Sequence, residues 1–451
     1  MRRFEHPNGR FWQIEVQFDG QLLVQWGQKP EPGQRRNLPA DKGKMNELIA
    51  KQLALGYVEV AVAPRATEPV DDEDDDEPVE AKKKKISTAR CVDEPALEAE
   101  CRAAPNDPEP WIVYADWLMQ QGDPRGEIAA LIRTDTAGSH ALLAEHHELL
   151  FGEGETRVDI TGWRHGFASS VTIKTEYDGP ESLIQMTKEF LDHPISAFVD
   201  EFRFGLSSFE GENDWGPVLD EIVEWAHADH VRAMRFDDFT QDEQEISWVN
   251  PGNLSKLWQL PNLREVVIHG SDCTLGAIEA PRLSTFIRKS GGLSEQQVME
   301  IVDAKWPALQ HLEIWFGQQN YGAGGDAEMI APILRGTNLP KLKHLGIVNC
   351  EFSLGALEIL LAGKLLPRLR SLDLSSGIMW TREFDLLIAN VDKLRHLESI
   401  DITDNYLSGD QVHALVRALP AIVSNDQRDS GDAPMEDEDP DEEWRYAALG
   451  E

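Results

Sequence analysis

Residues able to do chemistry are present in this chain but are not assembled for it. There is no G-x-S-x-G for a nucleophile, no H-E-x-x-H for a catalytic zinc and no G-x-x-x-x-G-K-[ST] for a phosphate loop. The densest glycine run, Gly322-Ala323-Gly324-Gly325-Asp326, lacks the lysine that would hold a phosphate, and it reads as a widened connecting loop. His140, His146 and His147 offer imidazoles, and positions 140 and 147 share a helical face. No carboxylate or cysteine set completes a metal site there, so a solvated face is expected and no metal. The cysteines Cys91, Cys101, Cys273 and Cys350 are scattered, without a C-x-x-C pair. Buried or free thiols in a reducing compartment are expected instead of disulfides or zinc. The chain therefore reads as non-enzymatic and without a cofactor, and what remains for its polar and aromatic residues is recognition.

Those residues are presented by a repeat. Apolar residues recur at i, i+3 and i+5: Val199, Phe202 and Phe204; Val231, Met234 and Phe236; Leu263, Val266 and Ile268; Leu309, Leu312 and Ile314. The series continues with Leu342, Leu345 and Ile347; Leu369, Leu372 and Leu374; and Leu397, Ile400 and Ile402. Val171 and Ile173 suggest an earlier copy, and Leu283 and Phe286 begin a degenerate one whose third position is Arg288. The third positions are mostly 26 to 33 residues apart, with one short step of 20. This is the period of a leucine-rich repeat whose copies each carry a strand and a helix. Helical stretches are expected at 326–334, 354–362, 383–388 and 409–419. One such copy cannot bury its own apolar face, so stacking must build a continuous core. The expected fold class is α/β: a leucine-rich-repeat solenoid over residues 153–425, curved, with parallel strands on its inner face.

In a strand, the residue between the second and third apolar positions points away from the core. Along the repeats this gives Arg203, Arg235, Val267, Ile287, Glu313, Gly346, Asp373 and Asp401. One residue further on, not strictly on that face but able to line it, come Asp237, His269, Trp315, Ser375 and Thr403. The concave surface thus runs from basic through apolar to acidic, and a partner of complementary charge order would dock in one direction. The candidate protein-binding residues are Arg203, Arg235, His269, Glu313, Trp315, Asp373 and Asp401. Trp315 either anchors a partner or packs under the Tyr321 loop.

Composition narrows the partner. The 451 residues carry a net charge of −37, with 41% hydrophobic and 27% charged residues. So anionic a molecule repels phosphate backbones and lipid headgroups as a whole. Residues 1–64 depart from this, with nine Lys/Arg against seven Asp/Glu. Any anion-binding surface belongs there. The N-terminus lacks the apolar core of a signal peptide, and no run of 18 apolar residues occurs. No membrane contact is expected, and a cytoplasmic location follows by elimination.

The rest of the chain divides by pattern. Residues 1–64 read as a small β-rich domain, with strands over 11–16, 22–26 and 57–60, an Asp19-Gly20 hairpin signal and a helix over 44–55. Residues 65–90, with an acidic run from Asp71 to Glu77 and then Lys82 to Lys85, read as a charged disordered linker. Residues 91–152 read as helical: 94–104, a second helix carrying Trp111, Tyr114, Trp117 and Leu118, a break at Gly122-Asp123-Pro124, then 127–133 and 140–151. Residues 426–451 form an acidic tail ending in Trp444-Arg445-Tyr446, aromatics that suggest the tail docks back.

Three resemblances overlay this reading. Gly9-Arg10-Phe11-Trp12, Val24-Gln25-Trp26-Gly27-Gln28, Pro32-Gly33-Gln34, Lys51 and Gly56-Tyr57 resemble the WGR domain of bacterial MolR-like proteins and of DNA-dependent poly(ADP-ribose) polymerases. In the polymerases that domain helps to hold DNA ends, which makes Trp26, Gln28, Arg35, Arg36, Lys42 and Lys44 the candidate nucleic-acid residues. The family motif ends in Arg where this chain has Gln28, a cation fewer on that face. Pro105-Asn106-Asp107, Tyr114 to Leu118 and Gly122 to Glu127 resemble a helical companion domain of bacterial repeat proteins, whose place is that of an N-terminal cap. Leu312 to Gly317, Tyr321-Gly322 and Trp444-Arg445-Tyr446 are similar to leucine-rich-repeat proteins found beside WGR domains. MolR-like proteins accompany AAA+ ATPases and von Willebrand factor A-type proteins in bacterial regulatory or defence modules. The resemblance therefore implies such a protein partner. The expected function is a protein-binding adaptor or scaffold, with a DNA-end or nucleic-acid sensor as the alternative.

Overall fold

The computed structural model describes residues 89–132, 134–152, 158–175, 182–209, 213–428 and 447–449, together with the backbone of five strands before residue 89. The chain forms two compact units, Met1–Lys85 and Ile86–Glu451. In the first, Gln34–Leu38, Leu22–Gln28, Arg10–Val16, Arg2–Glu5 and Val58–Val60 make one sheet in that spatial order, antiparallel throughout. The strands expected over 11–16, 22–26 and 57–60 are present. Arg2–Glu5 and Gln34–Leu38 are additional strands that pattern alone left unassigned. The expected helix over 44–55, the Asp19-Gly20 turn, most of the linker and residues 429–446 lie outside the described residues.

The second unit begins with helices whose starts are set by Asp-Pro pairs. Asp107 accepts a hydrogen bond from the Glu109 amide, and Asp123 accepts one from the Arg125 amide. Each precedes a proline at the first helical position, in Pro108–Gln121 and Pro124–Leu131. A capping carboxylate satisfies an amide left over at a helix start, and proline has no amide to satisfy. The second of these helices therefore starts at Pro124, three residues before the expected start. Between the two, Gly122 takes a left-handed φ of 73° and ends Pro108–Gln121. Trp111, Tyr114 and Leu118 pack with Phe167 and Phe198 of the sheet region, so the helices cover the first rungs. Arg125 ties the layers: buried, it bonds Asp123 (2.8 Å) and the carbonyls of Val92 (2.5 Å) and Pro194 (3.3 Å).

From residue 158 one eleven-stranded sheet runs through the unit. Val158–Arg164 pairs antiparallel with Phe167–Ile173, turning at His165 and Gly166, both at positive φ. All later pairings are parallel: Glu201–Gly205, Ala233–Asp238, Glu265–His269, Thr285–Lys289, His311–Trp315, His344–Val348, Ser371–Asp373, Ser399–Asp401 and Ile422–Val423. The second apolar positions stack in register, Val171 on Phe202, Met234, Val266, Phe286, Leu312, Leu345, Leu372 and Ile400. Every residue of that column is buried. Helices Leu183–Leu191, Gly216–Glu224, Glu295–Val302, Ala331–Leu334, Ser353–Ala362, Thr381–Ala389 and Gly409–Ala418 contribute their buried residues to the same core.

Three residues past the third apolar position the chain makes a second buried row. Asn405 donates to the carbonyls of Leu374 and Ile402 (2.9 and 3.1 Å) and accepts from the Met379 amide (2.9 Å). The equivalent Cys350 accepts from the Phe352 amide. Just before, Asn349, Ser376 and Asp404 all have φ between 52° and 58°, a turn that short polar side chains tolerate best. The degenerate copy keeps its strand but inserts Arg288 fully buried among apolar residues. Its guanidinium donates to Gln297 (3.0 Å), to the carbonyls of Gly270 (2.9 Å) and Lys289 (2.6 Å), and to that of Ser271.

Leu345→Ala and Leu372→Ala should each cost about 2–5 kcal/mol, as buried leucines do. Denaturant unfolding checks this, and a loss well below 1 kcal/mol would contradict the register. Arg288→Ala, which strands the carbonyls it serves, should cost about 3 kcal/mol or more in the same assay.

Candidate functional site

One face of the large sheet packs on helices; the opposite, open face carries three columns of side chains that are mostly half-buried among the described residues. In His311–Trp315 burial alternates, so His311, Glu313 and Trp315 share the open face while Leu312 and Ile314 are buried. Trp315 therefore stands on the same face as Glu313 and not beside it, because side-chain direction repeats every second residue. It is half-buried there, while Phe316 is in the core against Phe352. The central column is Arg203, Arg235, Val267, Ile287, Glu313, Gly346, Asp373 and Asp401, adjacent in register from end to end.

The basic end of that column carries its own counter-ions. Arg203 bonds Asp237 at 2.6 Å and lies 3.1 Å from Asp238, and Arg235 bonds Asp237 at 2.7 Å and Glu265 at 2.5 Å. Burial alone would raise the Asp237 carboxyl; the hydrogen bonds from Arg235 and Arg203 bring it below the usual carboxylate range. The charge order read along the strands is thus altered: two arginines and three carboxylates hold each other at this end.

At the acidic end, Asp373 accepts from the Ser375 amide (2.9 Å) and Asp401 from the Thr403 amide (2.8 Å). Both carboxylates help to turn the chain out of its strand. Burial pushes the Asp373 carboxyl up, and Asp401 and Glu313 add to this against the Ser375 bonds.

Between the ends lies a second polar cluster. His311 and His344 are register partners, with rings stacked at 3.9 Å and 12°. Their Nε2 atoms lie 3.5 and 4.0 Å from Glu313 Oε2. The other carboxylate oxygen of Glu313 accepts from Trp315 Nε1 at 2.6 Å, and Lys289 Nζ sits 4.5 Å from the indole ring centroid. His344 Nδ1 is 2.8 Å from Ser371 Oγ. Burial pulls His344 down to about 4, and His311 beside it adds to the effect. Burial would raise Glu313, but the His311 imidazole beside it and the hydrogen bond from Trp315 hold it below its ordinary value. His269 faces Lys289 across the register, and burial brings it to about 4.

The sequence reading found the central column and missed His311, His344, Lys289 and Glu265. Strand parity would have found them: two residues before or after an outward position lies another one. The candidate nucleic-acid residues Trp26 and Gln28 lie on Leu22–Gln28, and Arg35 and Arg36 on Gln34–Leu38, with Gln25 opposite Arg35. Lys42 and Lys44 lie outside the described residues. His140 and His147 sit on separate helices, Thr136–Glu145 and His147–Phe151, so they do not share the single helical face expected.

A separate cavity of about 350 Å³ lies where the helical cap meets the first rungs. Its arginines each face a carboxylate, Arg102 with Glu98 and both Arg164 and Arg232 with Asp200. Beyond the repeats, the chain end returns to the sheet. Asn349 donates to the Leu449 carbonyl (2.6 Å) and accepts from its amide (2.8 Å), and Gln318 donates to the Ala447 carbonyl (2.7 Å).

No protein-family model matches the chain, and no curated protein matches it. Among solved structures, a Bacteroides fragilis protein from a structural-genomics consortium aligns over 95% of this chain and 97% of its own, with a TM-score of 0.54 and 22% identity. The two share a fold. An internalin from Listeria monocytogenes aligns over 58% of this chain and 68% of its own, with a TM-score of 0.30 and 14% identity. No described helix is long and apolar enough to cross a membrane.

One pH effect follows from His269. Its folded value is near 4 against 6.5 when unfolded. Below pH 6.5 the unfolded chain therefore binds a proton that the fold excludes, and stability declines until about pH 4. The loss attributable to this ring should be about 2–3 kcal/mol. The fall in urea midpoint between pH 7 and 4 should shrink in His269→Asn, with His344 still contributing over the same interval, and an unchanged slope would assign the effect elsewhere.

Proposed function

We propose that this chain is a non-enzymatic adaptor or scaffold: a leucine-rich-repeat solenoid that binds another protein through the open face of its sheet. The observation that carries this reading is the in-register display, among the described residues, of half-buried charged and aromatic side chains centred on Trp315. The repeat assignment is supported by spacing as well as topology. Leu397, Ile400, Ile402 and Asn405, like Leu342, Leu345, Ile347 and Cys350, follow the L-x-x-L-x-L-x-x-[NC] pattern.

The partner is a folded protein or an extended segment lying across several rungs, with an AAA+ ATPase or a von Willebrand factor A-type protein suggested by the MolR-like resemblance. Buried aromatics set dissociation rates, while charges at the rim steer association. With a partner identified by co-purification and mass spectrometry, Trp315→Ala should speed dissociation and cost about 2 kcal/mol. Asp373→Lys with Asp401→Lys should slow association in a manner sensitive to ionic strength. Wild-type kinetics in the triple variant would place the interface elsewhere.

A second reading is nucleic-acid binding by the first unit. It rests on the local cationic excess of residues 1–64 and on the WGR resemblance. Such binding should be weak and fall steeply with salt, since few phosphates are neutralised against the total charge. A gel shift should lose it in Arg35→Glu with Lys42→Glu, and unchanged affinity would remove those residues from any contact.

A further inference from the structure

We propose that His311, Glu313 and His344 bind one divalent transition ion of the zinc class on the open face of the sheet. The three side chains each offer a ligand atom, and these atoms lie within 4.8 Å of one another. Both imidazole Nε2 atoms are shielded from solvent and make no hydrogen bond. A buried polar atom without a hydrogen bond is costly, and two such nitrogens beside one carboxylate oxygen make a donor set suited to a cation. The separations of 3.5 and 4.0 Å between Nε2 atoms and Glu313 Oε2 are near the roughly 3.4 Å between ligands around a tetrahedral zinc. Binding would turn the two rings, now stacked 12° apart, out of their stack so that both lone pairs meet the ion. Two imidazoles and a carboxylate suit Zn2+, Co2+ or Ni2+ and leave a fourth position for solvent.

The surroundings orient each ligand as an outer shell does. Ser371 Oγ engages the far nitrogen of His344, and the Trp315 indole engages the second oxygen of Glu313. Gly346 supplies the room. It stands opposite Glu313 in the register, and a Cβ there would meet Glu313 Cγ at 2.7 Å. Glycine lets the Glu313 side chain lie over the next rung, towards His344. The inference is independent of what the face docks.

Titration of Zn2+ into the full-length chain, stripped with a chelator, should show one ion per chain bound by this cluster and a rise in melting temperature. Co2+ should give the visible ligand-field bands of a four-coordinate ion. Glu313→Gln keeps the shape of the site and should weaken this binding at least about tenfold, as should His311→Ala and His344→Ala. Ser371→Ala tests the outer shell with a milder change and should weaken it less. His140→Ala with His147→Ala should leave it intact. Circular dichroism of the metal-free variants separates lost binding from lost fold. No stoichiometric binding of either ion, or binding that Glu313→Gln leaves at wild-type strength, overturns the proposal.

Discussion

The second unit depends on one contact repeated along its length, an aliphatic or aromatic side chain laid on its counterpart in the next parallel rung. Leu345 lies between Leu312 and Leu372 in the register. None of these rungs closes a core alone, because a strand of three to five residues buries one side of itself and needs neighbours above and below. The cap follows from the same constraint. At the first rung the stack would end on Phe167 and Phe198, and Trp111 and Tyr114 cover them, held in place by Asp-Pro helix starts and by the buried Arg125.

In-register stacking also decides the electrostatics of the open face, because it puts corresponding positions side by side. Arg203 neighbours Arg235, His311 neighbours His344, and Asp373 neighbours Asp401. Like charges at such spacing repel, and each pair meets this differently. The arginines share Asp237, which two guanidiniums keep ionised. The aspartates use backbone amides, and burial pushes the Asp373 carboxyl up. The histidines stack face to face and turn their Nε2 atoms to Glu313, the arrangement that most calls for a cation.

What was legible in the sequence was whatever has a period. The column from Phe202 to Ile400 could be read directly, since its residues recur at fixed spacing and share one physical reason to be apolar. The central outward column, Arg203 to Asp401, followed by parity. Partners contributed from elsewhere were not legible. The sequence reading set Asp237 beside the face of Arg203 and Arg235 but not between them, so the basic end was read without the counter-ions that it holds. His311 and His344 were overlooked for a related reason: their proximity arises from two strands 33 residues apart, whereas His140 and His147 drew attention by closeness in sequence. Helix starts were blurred because Pro124 looks like a breaker, although a proline behind a capping aspartate opens a helix.

Arg288 shows how a repeat tolerates its own irregularity. The step from Ile268 to Arg288 is too short to return through a helix as most other steps do. Between Glu265–His269 and Thr285–Lys289 the chain forms only the two-residue strand Cys273–Thr274, paired with Gly252–Asn253. A helix would satisfy its own backbone groups; a tight irregular return leaves carbonyls at Gly270 and Ser271 facing the interior. An aliphatic third position would bury those oxygens unpaired. The guanidinium of Arg288, with its several donors in one plane, reaches both, and Gln297 from the next helix completes the set while Asp272 accepts from Gln297 (2.7 Å). The substitution that makes this copy look degenerate is therefore what allows the sheet to continue through its shortest repeat. The rungs beyond it, with His311, Glu313 and Trp315, keep their register because Phe286 still stacks on Val266 and Leu312.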